Sequence, residues 1–274
     1  MPTDRFPHVE LNTGAQIPHL GFGVFAMDDE TTARAVQTAI ARGYRSIDTA
    51  ASYLNEVGVG EGIRRSGIER SELFVTTKLW NSHHLAARAA LRGSLDKLGM
   101  DYVDLYLVHW PMSSAGTYLR AWEGLEHLYR EGAAAAIGVS NFSESQLDEV
   151  IGLGGTVPSV NQVELHPLNA RPELRAFHAA HGIATQAWSP LARGLAFGTV
   201  PIRAIAAHHG ATEAQVILRW HLQLGTIPLP KSAAPERIAE NFDVLGFELA
   251  AEEMDAIGRL DTGRRVEDSY YEWA

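Results

Sequence analysis

Four residues of this sequence could do chemistry together: Asp48, Tyr53, Lys78 and His109. Each stands at or just past the end of a short run rich in β-branched and apolar residues. Asp48 closes Tyr44-Arg45-Ser46-Ile47-Asp48, with Tyr53 on the segment that follows; Lys78 falls in Thr76-Thr77-Lys78-Leu79-Trp80; His109 ends Tyr106-Leu107-Val108-His109. A phenol with an ordinary pKa of ~10 is a sluggish acid at neutral pH, and a nearby ammonium favours the phenolate and so eases loss of the proton. Asp48 would hold Lys78 charged and oriented. A neutral His109 would donate a hydrogen bond to a carbonyl oxygen and stabilise the negative charge that develops there as hydride arrives at carbon. Acid, cation and imidazole together describe a proton-donating carbonyl site.

Singly, each residue has a plainer account. Asp48 and Lys78 could be a satisfied buried ion pair, Tyr53 a rim aromatic, and His109 a core histidine with both nitrogens bonded. All four at successive run ends favour the catalytic reading, on the condition that those runs are adjacent parallel strands.

The surrounding pattern meets that condition. Strand-like runs alternate with helical periodicity along the chain, the mark of parallel βα units. An opening hairpin places Val9 to Leu11 and Gln16 to Pro18 around the turn residues Asn12, Thr13 and Gly14. Eight strands are then predicted over 19–23, 46–50, 74–80, 102–110, 135–142, 159–167, 183–190 and 227–232. Helices are predicted over 30–42, 85–98, 119–130 and 212–224, the last opened by Thr212 with Gln215 three residues on, a capping-box pattern. The chain has 274 residues, close to the ~250 of a typical (β/α)8 barrel. The predicted fold is therefore an α/β TIM barrel with an N-terminal β-hairpin and two extra helices, over 201–209 and 250–260, followed by a tail from Asp261. No linker or low-complexity segment divides it, so 1–274 reads as a single barrel domain.

Composition narrows the function classes. There is no cysteine, which excludes disulfides, thiolate metal sites and cysteine nucleophiles. The first ten residues carry Pro2, Asp4, Pro7 and Glu10 where a signal peptide needs an apolar run, and no stretch reaches the ~18 apolar residues of a membrane span. The reading is of a cytoplasmic protein without a membrane partner. Lys and Arg number 23 against 33 Asp and Glu, a formal net charge of −10, which argues against nucleic acid as a partner. An anionic cofactor would need a local basic pocket. His83-His84 and His208-His209 read as surface histidines, since no third residue at ligand spacing completes either pair, and no metal is expected.

Gly21, Gly23 and Ala26 spell G-x-G-x-x-A ahead of a helix, with Asp48 about 20 residues further on, as in a Rossmann dinucleotide site. However, Asp28, Asp29 and Glu30 put three carboxylates at the helix start that should receive a pyrophosphate. The favoured reading is that the glycines permit close backbone approach at a barrel strand end.

A longer series of motifs carries a family resemblance. Gly43-Tyr44-Arg45-Ser46-Ile47-Asp48-Thr49-Ala50, Thr77-Lys78-Leu79-Trp80, Leu107-Val108-His109-Trp110-Pro111, Ile137-Gly138-Val139-Ser140-Asn141-Phe142, Asn161-Gln162-Val163-Glu164-Leu165-His166-Pro167 and Pro230-Lys231-Ser232 through Arg237 and Glu240-Asn241 run in order through the chain. Together they resemble the aldo-keto reductases, most closely bacterial members of the 2,5-diketo-gluconate reductase type. The resemblance implies an NADPH-dependent oxidoreductase that reduces aldehydes, ketones or keto sugars, usually as a monomer. Tyr53 would be the proton donor, Lys78 and Asp48 its tuning pair, and His109 the group that orients the carbonyl. Ser140, Asn141 and Gln162 would bond the nicotinamide carboxamide and Trp188 would stack on its ring. Ser189, Leu191, Lys231, Ser232, Arg237, Glu240 and Asn241 would hold the rest of the cofactor.

The residues themselves support part of this. Lys231, Ser232 and Arg237 follow the eighth strand, where barrels bind phosphate, and Pro235 suits the first turn of a helix whose amides face that corner. Phe25, Trp80 and Trp110 would form an apolar pocket mouth. Two positions depart from the family: Leu54 beside the tyrosine, which bears on substrate range, and Ala234 near the cofactor, which bears on affinity. The competing readings are a regulatory barrel that binds NADPH with little turnover and a Rossmann dehydrogenase using the 21–26 turn. The complete set of four residues argues against the first, and the acidic helix start against the second.

Overall fold

The computed structural model describes residues 6–266, so the first residues read for a leader and the tail beyond Val266 lie outside the described residues. A hairpin of β1 (His8–Glu10) and β2 (Gln16–Pro18), with Val9 opposite Ile17, opens the fold. Eight parallel strands follow in sequence order: β3 (Phe22–Gly23), β4 (Ser46–Asp48), β5 (Phe74–Leu79), β6 (Val103–Val108), β7 (Ala134–Ser140), β8 (Val160–Glu164), β9 (Ala184–Trp188) and β10 (Ile227–Pro228). Helices α1 (Asp29–Arg42), α2 (Glu56–Ser66), α3 (Ala87–Leu98), α4 (Tyr118–Arg130), α5 (Glu144–Gly152), α6 (Pro172–Ala180), α7 (Val200–His209), α8 (Glu213–Gln223), α9 (Pro235–Phe242) and α10 (Ala251–Gly258) complete it. α7 and α10 exceed the eightfold repeat, and the Thr212–Gln215 capping box opens α8 as predicted.

Two backbone bonds close the ring, from Gly21 N–H to Pro228 O and from Gly23 N–H to Pro230 O, both 3.1 Å. Side chains have no room at this seam. A Cβ on Gly21 would lie 2.4 Å from Leu229 Cδ2, and one on Gly23 would lie 3.2 Å from the Leu229 carbonyl oxygen. The glycine pair therefore serves barrel closure rather than a dinucleotide turn, and Asp28 caps α1 by accepting from Thr31 N–H at 2.7 Å.

Several element ends differ from expectation. β3 starts at Phe22 rather than residue 19 and β10 stops at Pro228 rather than residue 232, because Pro228 and Pro230 carry no N–H to extend the ladder. The helix predicted over 85–98 divides into 3-10 turns over Asn81–Ala86 and then α3.

Apolar residues form two cores. The larger lies between strands and helices and includes Val36, Ile47, Val75, Tyr106, Trp122 and Trp220. The smaller fills the barrel, where Phe74, Leu105, Leu107, Ala136, Val160 and Ile227 meet Leu11 and Ile17 from the hairpin. Phe74, Val160 and Ile227 are first residues of their strands, so the hairpin stops the N-terminal end of the barrel. Asn12 stitches it there, donating to the Val157 and Pro158 carbonyls and accepting from Ser159 Oγ at 2.7 Å.

Gly138 in β7 shows how tightly this interior is packed. A Cβ there would fall 2.5 Å from the Val160 carbonyl oxygen and 2.9 Å from Leu107 Cδ2. Backbone of β8 would have to yield. Gly138→Ala is expected to cost about 1–3 kcal/mol of stability, read as a lower urea midpoint, and an unchanged midpoint would show slack between β7 and β8.

Candidate active site

Asp48 ends β4, Lys78 lies next to the last residue of β5, and His109 directly follows β6. These strands are neighbours, with Asp48 opposite Thr76 and Lys78 opposite Leu107. The Lys78 side chain is fully buried, and its ammonium donates to Asp48 Oδ1 at 2.6 Å, to the Thr49 carbonyl at 2.8 Å and to Tyr53 OH at 3.4 Å. Three donors thus meet three acceptors. Burial works against the charged amine, but the Asp48 carboxylate and the Tyr53 oxygen outweigh it, so Lys78 holds its proton above the usual lysine range.

Local sequence places Tyr53 at this ammonium. It ends a 3-10 turn over Ala51–Tyr53. Buried Asn55, just beyond, ties that turn down: its Nδ2 donates to the Val24 carbonyl at 2.8 Å and the Met27 carbonyl at 3.2 Å, while its Oδ1 accepts from Thr49 Oγ1 at 2.9 Å. The β3–α1 and β4–α2 loops are locked to each other. Phe25 meets the Tyr53 ring edge-on at 5.0 Å.

His109 completes the group. Its ring lies 5.7 Å from the Tyr53 ring and 5.3 Å from Trp80. Burial, helped by the charge of Lys78, drives its pKa well below the usual histidine value, so the imidazole is neutral at physiological pH. Ser52 Oγ lies 3.3 Å from His109 Nδ1. A hydroxyl donating there leaves the proton on Nε2. Ser52 and Thr49 are parts of the site that sequence reasoning did not find, since neither residue type nor spacing marks them.

Beside this group runs a second wall. Gln162 Nε2 donates to Asp48 Oδ2 at 2.8 Å and to Gln186 Oε1 at 3.0 Å, and Ser140 Oγ donates to the Gln162 carbonyl at 2.7 Å. Asn141, at φ +66, donates to the His109 carbonyl and to Ser140 Oγ, both at 3.0 Å, while its Oδ1 accepts from the Trp188 indole at 2.8 Å. Asp48, Ser140, Asn141, Gln162 and Trp188 are thereby one hydrogen-bonded assembly. Ser189 and Leu191 continue past Trp188 into the turn over Ala192–Gly194.

Lys231, Ser232 and Arg237 form a separate group where β10 leads into α9. Arg237 Nε donates to Ser232 Oγ at 3.2 Å, and the same hydroxyl accepts from Ala234 N–H at 3.1 Å. Lys231 and Arg237 are exposed and have no carboxylate partner among the described residues. Asn241 is buried nearby, whereas Glu240 turns outward to accept from Thr212 Oγ1 at 2.7 Å, tying α9 to the start of α8.

Of the residues read as a pocket mouth, Phe25 is 46% exposed, whereas Trp110 is buried. Trp80 borders a cavity of about 490 Å³ shared with His84, Met112 and Thr117. His84 is likewise buried rather than on the surface, with Nδ1 2.8 Å from Thr117 Oγ1. His208 and His209, read as a pair with no third partner, meet Glu253 from α10, which their sequence separation concealed.

Comparison with known proteins gives the family. The model of the Aldo/keto reductase family matches residues 19–262. A methylglyoxal reductase of Escherichia coli is 46% identical over 260 residues, covering 94% of each chain. A morphine 6-dehydrogenase of Pseudomonas putida is 49% identical over 277 residues, covering 96% of this chain and 94% of that one. The crystal structure of a Bombyx mori aldo-keto reductase in complex with NADP superimposes with a TM-score of 0.92 at 34% identity, covering 99% of this chain and 98% of that one. With a parallel barrel matched along nearly its whole length and an acid, a phenol, an ammonium and an imidazole at adjacent strand ends, the chain belongs to the aldo/keto reductase family.

Proposed function

We propose that this protein reduces the carbonyl group of small aldehydes, ketones or keto sugars to an alcohol, with NADPH as hydride donor. One observation carries the reading: a phenol oxygen 3.4 Å from a buried ammonium that is itself fixed by a carboxylate at 2.6 Å, beside a neutral imidazole. The names of the relatives, a methylglyoxal reductase and a morphine 6-dehydrogenase, and the NADP held by the silkworm enzyme support it.

The residues present fit that cofactor. Exposed Lys231 and Arg237, without carboxylate partners among the described residues, sit with the Ser232 hydroxyl at the first turn of α9, a donor set suited to the 2′-phosphate in a chain that is otherwise acidic. Ser140, Asn141 and Gln162 offer amide and hydroxyl groups for the carboxamide. Trp188, half-buried at the end of β9, offers a flat face to the ring, and Ser189, Leu191, Glu240 and Asn241 would line the remainder. When bound, NADPH supplies the hydride that reaches the carbonyl carbon.

The chain's own residues handle the oxygen. His109 donates its Nε2 proton in a hydrogen bond to the carbonyl oxygen, which fixes the substrate and meets the charge building there. Tyr53 transfers its phenolic proton to that oxygen as the C=O π pair becomes an O–H bond. Lys78 stabilises the phenolate left behind, and Asp48 keeps the ammonium in place until solvent returns the proton. The regulatory alternative has no observation in its favour, since Asp48, Lys78 and Tyr53 are hydrogen-bonded in series and the Tyr53 ring meets the His109 ring edge-on at 5.7 Å. We read the protein as a monomer, and a cysteine-free protein suits the reducing cytosol.

Tyr53→Phe is expected to lower kcat by about 100-fold or more while NADPH affinity stays within about twofold, because the proton is needed only in the transition state. Steady-state NADPH oxidation with a panel of carbonyls measures it, and retention of most of the rate would remove Tyr53 from its role. Arg237→Ala removes a charge-assisted contact of about 1.5–3 kcal/mol. It should weaken NADPH by roughly 10- to 150-fold and leave NADH nearly unchanged, as read by quenching of tryptophan fluorescence. Equal weakening of both cofactors would contradict the phosphate role.

A further inference from the structure

His208 and His209 end α7, and Glu253 lies in the first turn of α10. These are the two helices that the eightfold repeat does not require. His208 Nδ1 lies 3.0 Å from Glu253 Oε1, and His209 Nε2 lies 2.9 Å from Oε2 and 3.1 Å from Oε1. The three residues each present one ligand atom, all within 4.8 Å of one another. We infer that they form a surface site for a borderline divalent metal ion, Zn²⁺ or its first-row neighbours, that staples α7 to α10.

The chemistry of the donors selects that class. Two imidazole nitrogens and one carboxylate oxygen suit Zn²⁺, Cu²⁺ or Ni²⁺ better than the all-oxygen preference of Ca²⁺ or Mg²⁺. Ligands at about 2.0–2.2 Å from a tetrahedral ion stand about 3.3–3.5 Å apart. The His-to-carboxylate separations are already within a few tenths of an ångström of that edge. Sequence neighbours on a helix point in different directions, and here the two rings converge by using different nitrogens, Nδ1 of His208 and Nε2 of His209.

The surroundings hold two ligands in place and leave one side open. The His209 ring packs against Phe247 at 5.1 Å, and Glu253 Oε2 accepts from Ala250 N–H at 2.9 Å, the kind of outer contact that orients a metal ligand. His208 is 73% exposed, so water can fill the remaining coordination position. Without metal, the same atoms make two hydrogen-bonded contacts that join the helices. The ion would replace them with stronger bonds of the same geometry.

Isothermal titration of the purified protein with ZnCl₂, after removal of metal with EDTA, tests this directly. One equivalent should bind, and the thermal midpoint should rise with Zn²⁺ concentration and fall back on adding chelator. His208→Gln should weaken binding at least tenfold and shift the metal-free midpoint only slightly, since His208 is 73% exposed and both the His209–Glu253 contact and the Glu253 cap on α10 remain. Cu²⁺ electron paramagnetic resonance should show coupling to two nitrogens in the wild type and to one in His208→Gln. Wild-type affinity in His208→Gln, or absence of two-nitrogen coupling in the wild type, would overturn the site and leave a hydrogen-bonded latch.

Discussion

The Asp48–Lys78 ion pair is the contact on which the candidate site depends. A fully buried ammonium is tolerable only when each of its protons has a partner, and here a carboxylate, a backbone carbonyl and a phenol supply them. That demand fixes the relative height of β4 and β5 and the conformation of the turn carrying Tyr53. It also recruits Gln162 from β8, which occupies the second carboxylate oxygen across the barrel mouth. A well-packed apolar pair of similar size would serve stability as well or better. The charge is therefore best understood through what it does to the phenol beside it.

Neighbouring loops bear a related cost. Among the described residues, the non-glycine positions with positive φ are Ala26, Leu54, Met112, Asn141, Arg171, Ser189, Ala192 and Arg193, and every one lies in a loop running from a strand to the next helix. The opposite loops, from helix to strand, turn through glycines such as Gly43, at φ +117. Left-handed backbone costs an L-residue of order 1 kcal/mol or more. It persists on one end of the barrel alone, where a side chain such as that of Asn141 bonds its neighbours and cannot be exchanged for hydrogen.

Much of this was legible in the sequence because it rests on local rules. Short runs of β-branched and apolar residues separated by helical periodicity yield eight parallel strands, and proximity of Asp48, Lys78 and His109 then follows from barrel order alone. The Thr212–Gln215 box and the acidic start of α1 are likewise local, and the latter separated the glycine pair from a dinucleotide turn. What escaped was set by tertiary approach. Ser52 touches His109 because of how one 3-10 turn is held by Asn55, and Glu253 reaches His208 and His209 through the packing of α10 on α7. Trp110, read at the pocket mouth, and His84, read on the surface, are both buried. Strand ends moved inward where proline ends a ladder.

The seam between β3 and β10 has a bearing on how the chain reaches this state during synthesis. Gly21 and Gly23 emerge from the ribosome long before Pro228 and Pro230, so the ring cannot close until all eight strands have been made. Until then β3 presents an unpaired edge, and the half-built sheet holds apolar faces with nothing to cover them. Contacts this distant in sequence form slowly, and slow closure lengthens exposure to aggregation. The narrow seam, to which the β3 side brings Gly21 and Gly23, makes a snug cylinder but creates a vulnerable period in biogenesis, in which a holding chaperone would have the most to protect.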